Sequence, residues 1–148
     1  MTRRKVAIPI DASEHSERAC DWYFKNMYRK DGDKVFIIHV SEMAPQGKLE
    51  TITKEDWDQH VKDHTQKVKD LEEKYKEKMC CEEADFAVKL LSGAKPGEAI
   101  VKAIKECEAD VVVMGSRGMG VLRRTFVGSV SDYVMHHAHV PVIICPKQ

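Results

Sequence analysis

No apolar run in the 148 residues approaches the roughly 18 to 20 needed to cross a bilayer. The stretch Met1 to Lys5 passes from charges directly into a strand-like segment, so neither a signal peptide nor a membrane anchor is predicted. Net charge is missing too. Twenty-four Lys plus Arg cancel 24 Asp plus Glu, so no global field draws the chain to nucleic acid or to an anionic membrane. Cysteine is sparse and badly placed for cross-linking. Five residues (Cys20, Cys80, Cys81, Cys107, Cys145), an odd number with one adjacent pair, make a poor disulfide framework and no CxxC metal site, which predicts a reducing, cytoplasmic setting. Two common phosphate-binding patterns are also absent. There is no GxxxxGK[ST], and no GxGxxG follows the first strand, which argues against a P-loop NTPase and a Rossmann dinucleotide binder. Internal repeats and low-complexity segments are lacking, and the length suits one domain spanning residues 1–148.

What is present is a globular composition, 43% hydrophobic and 32% charged, organised as short β-branched runs alternating with longer helical patterns. Lys5 to Asp11 reads as a strand, Ser13 to Arg29 as a helix with Cys20, Tyr23, Phe24 and Met27 on its inner face, and Lys34 to Val40 as a second strand. A loop holding Pro45 and Gly47 leads to a long helix that starts near Thr53. Along it Trp57, Val61, His64, Val68, Leu71, Tyr75 and Met79 step by four and three into one stripe on an otherwise charged surface. Asp85 to Leu91 reads as a third strand, Pro96 to Cys107 as a helix, Asp110 to Gly115 as a fourth strand, Ser129 to His137 as a short helix and Val140 to Cys145 as a fifth strand. The order βαβαβαβαβ implies a parallel sheet with right-handed crossovers and helices on both faces, a doubly wound α/β sandwich. Ligands in such sheets bind beyond the carboxyl ends of the strands, where the winding reverses.

The segment after the fourth strand carries the chemistry. It reads Gly115-Ser-Arg117-Gly118-Met-Gly120, then Val121 to Val127, then Gly128-Ser129-Val130-Ser131. Glycines directly after a strand let a ligand lie against bare backbone. Gly128-Ser129 at a helix start aims unpaired N–H groups and the positive end of the helix dipole outward, and the Ser129 and Ser131 hydroxyls add donors. The ligand so implied is an anion, phosphate above all. A plain turn and an ordinary Ser129 N-cap explain each signal taken singly. Their coincidence in one connection favours the ligand.

The spacing Gly115-x2-Gly118-x9-Gly128-Ser129 resembles the G-2x-G-9x-G(S/T) signature of the ATP-binding branch of the universal stress protein family. The resemblance covers nearly the whole chain: the first strand ending Ile10-Asp11-Ala-Ser13, the second ending His39-Val40, the Val-Val-Met-Gly-Ser-Arg-Gly core and the terminal Pro141-Val-Ile-Ile strand. It implies a three-layer sandwich with a five-stranded parallel sheet of order 3-2-1-4-5, the adenine nucleotide alpha hydrolase-like fold. It further implies that Pro9, Ile10, Asp11 and Val40 border an adenine pocket. Gly115, Arg117 and Gly118 would run along the ribose and phosphates, Gly128, Ser129, Val130 and Ser131 would hold the phosphates from the helix end, and Met114 would be a further nucleotide contact. ATP or AMP is the implied cofactor, with Mg2+ or Mn2+ reaching the site through the phosphates. A homodimer through the last strand, Val140 to Cys145, is implied as well, and an apolar strand at a sheet edge is an aggregation hazard unless covered.

Several residues carry competing readings. Asp11 is either a turn aspartate beside Ser13 or a ligand contact, and its place at a strand's carboxyl end favours contact. Arg117 suits bidentate phosphate contact, whereas Arg123 and Arg124 either close over the phosphates or belong to a solvated loop. His60 and His64 are four apart, and His136, His137 and His139 cluster at a helix end, yet no third ligand accompanies the first pair and the second group suits a helix C-terminus. Cys20, Cys107 and Cys145 fall on apolar stripes or strands as buried thiols, and no Ser/His/Asp nucleophile arrangement is visible.

The expected activity is nucleotide binding in a stress-responsive regulator, with no catalytic residue assigned. Phosphate transfer needs a positioned base, and the phosphate end offers no carboxylate except Asp132. A slow ATPase, or an adenylate-forming enzyme on the same fold, is the enzymatic alternative, although neither SGGxDS after the first strand nor HxGH and KMSKS occurs. A nucleotide-free dimeric scaffold or chaperone-like protein is the third reading. The zero net charge hides a segregation that suits the first. Val111 to Ser131 holds three arginines and no acid, whereas Glu42 to Asp85 holds thirteen acids against eight lysines.

Overall fold

The computed structural model describes residues 2–41, 53–116 and 129–146. Nine elements follow in alternation: β1 (Arg4–Ile10), α1 (Glu14–Asn26), β2 (Asp33–Ser41), α2 (Lys54–Cys81), β3 (Asp85–Ser92), α3 (Pro96–Glu106), β4 (Val111–Gly115), α4 (Ser129–His137) and β5 (Val142–Cys145). The strands form one sheet in the order β3-β2-β1-β4-β5, and every pair is parallel. The alternation of periods predicts the doubly wound sandwich, and the strand order is the one that the family resemblance implies.

Each strand alternates its side chains between two cores. Val6, Ile8 and Ile10 of β1 face the layer of α1 and α2 with Val35 and Ile37 of β2, whereas Ala7 and Ile38 face the layer of α3 and α4. Helix α1 buries Ser16, Ala19, Cys20 and Tyr23, a set spaced by three and four that makes one stripe. Because α1 and α2 cover one face and α3 and α4 the other, winding reverses between β1 and β4. The ladder between those strands is registered at Val6 with Val111 and Ala7 with Val112. The carboxyl ends, Pro9 to Asp11 and Met114 to Gly115, lie beyond it.

Several boundaries differ from the sequence reading by a residue or more, and three of them have an identifiable cause. Helix α1 ends at Asn26 rather than Arg29. The N–H groups of Met27 and Tyr28 both reach the Tyr23 carbonyl, and the buried Asp33 carboxylate accepts the Arg29 N–H at 3.1 Å, pulling the chain into a turn through Asp31 (φ 63°). Strand β5 starts at Val142 rather than Val140, because His139 sits at φ 57° and Pro141 has no N–H to give, though its carbonyl accepts from Val112 at 2.9 Å. Strand β4 starts one residue late, Asp110 instead bonding Lys5 through its N–H at 2.7 Å and accepting the Lys5 N–H at 2.8 Å.

Helix α2 departs from the expected single stripe. Tyr75 and Met79 are buried and Leu71 packs on the same core, but Trp57 is 36% exposed, and Val61, His64 and Val68 are only half-buried. Length explains this. Twenty-eight helical residues span about 42 Å, at 1.5 Å each, and the eight or nine residues of β3 or β2 only about 30 Å. The helix outruns the sheet it covers. Among the described residues no helix is long and apolar enough to cross a membrane.

Candidate functional site

The turn from β1 into α1 is built by three short polar side chains. Asp11 Oδ1 accepts the Ser13 N–H at 2.8 Å, closing an Asx turn, and also accepts the Ser13 hydroxyl. Ser13 occupies the N-cap position of α1 with extended backbone, but its hydroxyl is turned to Asp11 rather than to the helix. Ser16, three residues on, closes the turn from the other side. Its Oγ accepts the Asp11 N–H at 3.1 Å and donates to the Asp11 carbonyl at 2.9 Å. Asp11 is therefore a turn aspartate, and it also lines the cleft described below.

Opposite stands the end of β4. A Cβ built on Gly115 would lie 2.3 Å from the His15 carbonyl oxygen, so glycine is required there because the first turn of α1 backs directly onto the strand. The steric reason differs from the sequence argument, in which the bare backbone served only the ligand. The Gly115 carbonyl accepts the Ser131 hydroxyl at 2.9 Å, tying the first turn of α4 to β4. Ser131 is 3% exposed, and its hydroxyl hydrogen is engaged in the fold. Ser116 N–H reaches across to the Cys145 carbonyl at 3.2 Å and fixes β5 alongside.

Between these ends lies a cleft, partly open to solvent, with room of about 70 Å³ for water-sized occupants. Pro9, Ile10, Asp11, Val40, Met114, Gly115, Val130 and Ser131 all line it. Eight positions scattered over 120 residues thus converge, as the crevice rule for doubly wound sheets requires. Ser129 lines the adjoining groove instead, with Lys95, Gly97 and Tyr133 at the starts of α3 and α4. Arg117, Gly118 and Gly128 lie outside the described residues, as do Arg123 and Arg124.

The cleft also holds Ser16, His15, Pro96 and Ile100, which sequence reasoning did not place there. They belong to first turns of helices rather than strand ends. The signal was available in Pro96, whose position at the first turn of α3 fixes where that helix begins, and so what it presents to the crevice. Asp132, the one carboxylate of the α4 start, does not line the cleft. It is 56% exposed and lies 3.3 Å from His136 Nε2, one turn along the outer face of α4.

The remaining candidates fall elsewhere. The His60 and His64 rings stack 6.4 Å apart on α2, and among the described residues no group of three or more potential metal ligands comes together. Cys20, Cys107 and Cys145 are buried and Cys80 and Cys81 exposed. Burial pushes the Cys20 thiol up to about 12 and raises Cys107 and Cys145, so all three stay protonated and unreactive at neutral pH.

A sequence model of the Universal stress protein family matches residues 2–146. Universal stress protein MJ0531 of Methanocaldococcus jannaschii is 30% identical over 153 residues, an alignment covering 97% of this chain and 82% of that protein. Universal stress protein PHOS32 of Arabidopsis thaliana is 29% identical, and the chain spans 64% of its length. Among solved structures, that of an Arabidopsis thaliana universal stress protein family protein with AMP bound superposes with a TM-score of 0.72 at 22% identity, over 98% of this chain and 92% of that one. With the sheet order and the cleft between β1 and β4, this match over nearly the whole chain shows that it belongs to the universal stress protein family.

Proposed function

We propose that this chain binds an adenine nucleotide, ATP or AMP, in the cleft at the carboxyl ends of β1 and β4, and acts as a nucleotide-dependent regulator in a stress response. The observation that carries the reading is the convergence of Pro9, Ile10, Asp11, Val40, Met114, Gly115, Val130 and Ser131 around one cleft. A relative of the same fold holding AMP supports the same ligand class. Ile10, Val40 and Met114 offer the apolar walls that a purine ring needs, and the α4 start supplies the positive dipole end for phosphate. Gly118 and Gly128 complete the phosphate side, Arg117 pairs with it, and Mg2+ or Mn2+ enters through the phosphates. Binding rather than turnover is the activity we assign, since among the described residues no carboxylate beyond Asp11 lines the cleft to serve as a base.

The whole chain works as one domain in the cytoplasm, and two copies associate through β5, which is an edge of the sheet. Calorimetric titration with ATP and AMP tests the site. Gly118→Ala and Gly128→Ala should each weaken binding about tenfold, or about 1.4 kcal/mol. Equal affinity in wild type and both variants would contradict the assignment.

A further inference from the structure

Helix α2 covers the sheet on the side of β3 and contributes no residue to the wall of the cleft. One of its side chains nevertheless reaches the turn on which the cleft is built. Tyr75 is 1% exposed, and its hydroxyl lies 3.2 Å from Ser16 Oγ, itself 6% exposed. Ser16 has one hydrogen, and three oxygens compete for it: the Asp11 carbonyl at 2.9 Å, Asp11 Oδ1 at 3.2 Å and the Ser13 carbonyl at 3.2 Å. With that hydrogen so engaged and one lone pair taken by the Asp11 N–H, Ser16 receives the Tyr75 hydroxyl as donor. A buried hydroxyl left without a partner is costly, so burial of Tyr75 favours this contact.

We propose that Tyr75 is a positioning residue of the nucleotide cleft. Its hydroxyl fixes the rotamer of Ser16, and Ser16 holds the backbone of Asp11 in the conformation that faces the ligand. The inference rests on the nucleotide reading of the cleft and adds to it a route by which α2, outside the site, is coupled to occupancy. A displacement of α2 relative to the sheet moves Tyr75, loosens Ser16 and alters the Asp11 turn. By reciprocity of binding free energies, a ligand that tightens the turn restrains α2.

Tyr75→Phe keeps the ring in the core and removes only the hydroxyl. Two readouts apply to it: the amide resonances of Asp11 and Ser13 in the ligand-free protein, and the affinity for AMP by calorimetry. Tyr23→Phe is the control, because Tyr23 is equally buried in the same core but its hydroxyl bonds Asp33 at the amino-terminal end of β2, far from the cleft. The expected result is that Tyr75→Phe shifts the Asp11 and Ser13 amides and weakens AMP binding about tenfold, while Tyr23→Phe leaves AMP affinity within twofold of wild type. Ser16→Ala combined with Tyr75→Phe should weaken binding no further than Ser16→Ala alone, since the hydroxyl acts through Ser16. Unmoved amides in Tyr75→Phe, unchanged affinity, or an equal loss in Tyr23→Phe would overturn the positioning role. Failure of wild type to bind either nucleotide would overturn the nucleotide reading instead, and the amide shifts would still decide whether Tyr75 holds the turn.

Discussion

Asp33 shows how one residue can organise a fold without belonging to its site. Its carboxylate, buried at 1% exposure, takes Arg4 in a two-pronged pair at 2.9 and 2.7 Å, the Tyr23 hydroxyl at 2.7 Å and the Arg29 N–H at 3.1 Å. Burial works to raise its pKa, but the bonds from Arg4, Tyr23 and the Arg29 backbone outweigh it and hold the carboxyl below the ordinary aspartate range. A depressed carboxylate adds stability above its unfolded pKa, near 3.9, and that stability is lost as pH falls through the folded value. Urea unfolding should show the Asp33 contribution constant from pH 7 to about pH 5 and declining below about pH 4. Asp33→Ala should cost about 3 kcal/mol at pH 7, because it strands a half-buried guanidinium and a buried phenol. A loss under about 1 kcal/mol would contradict this role. Gly115→Ala is a second case at this scale. The built Cβ meets backbone rather than a movable side-chain tip, so the variant should lose about 2 kcal/mol or more by denaturant unfolding, with or without ligand.

At the scale of elements, legibility followed the range of the interactions. Helix α4 spans Ser129 to His137 as its local pattern indicated, and β3 begins at Asp85, because capping residues and β-branched runs act within a few positions. The end of α1 was illegible, since it is set by Asp33, a residue that reads locally as a turn former after Asp31-Gly32 and in the fold is a buried anchor. The start of β5 depends on the left-handed backbone at His139 and on what Pro141 cannot donate. The stripe of α2 was legible as a period but not as burial, because periodicity does not say how far the sheet beneath extends. Hydrogen exchange should therefore divide this helix. Amides from Val61 to Val68 should exchange at least about a hundredfold faster than those from Tyr75 to Met79, the half that packs on the sheet. Uniform protection along all of α2 would mean that its outer half is covered.

For the whole molecule, a formal charge of zero conceals a basic, glycine-rich segment from Val111 to Ser131 and an acidic one from Glu42 to Asp85. The crevice lies where winding reverses between β1 and β4, and of its wall Asp11 and Gly115 were readable from the rule that strand ends gather there, Ser131 from the helix start, and Pro9, Ile10, Val40, Met114 and Val130 through the family resemblance. Ser16, His15 and Ile100 were not, because which helical side chains tip into a crevice depends on the packing of helix on sheet rather than on chain order. Association is a property at this scale too. Strand β5 is a short edge, four residues long, and light scattering after size exclusion should give twice the 16.9 kDa chain mass at micromolar concentration. A monomer there would contradict pairing through β5. The central claim is that the cleft receives an adenine nucleotide. An AMP titration followed by amide resonances tests it most directly: saturable shifts concentrated at Ile10, Asp11, Val40, Gly115, Val130 and Ser131 are predicted, and shifts absent there or centred elsewhere would contradict it.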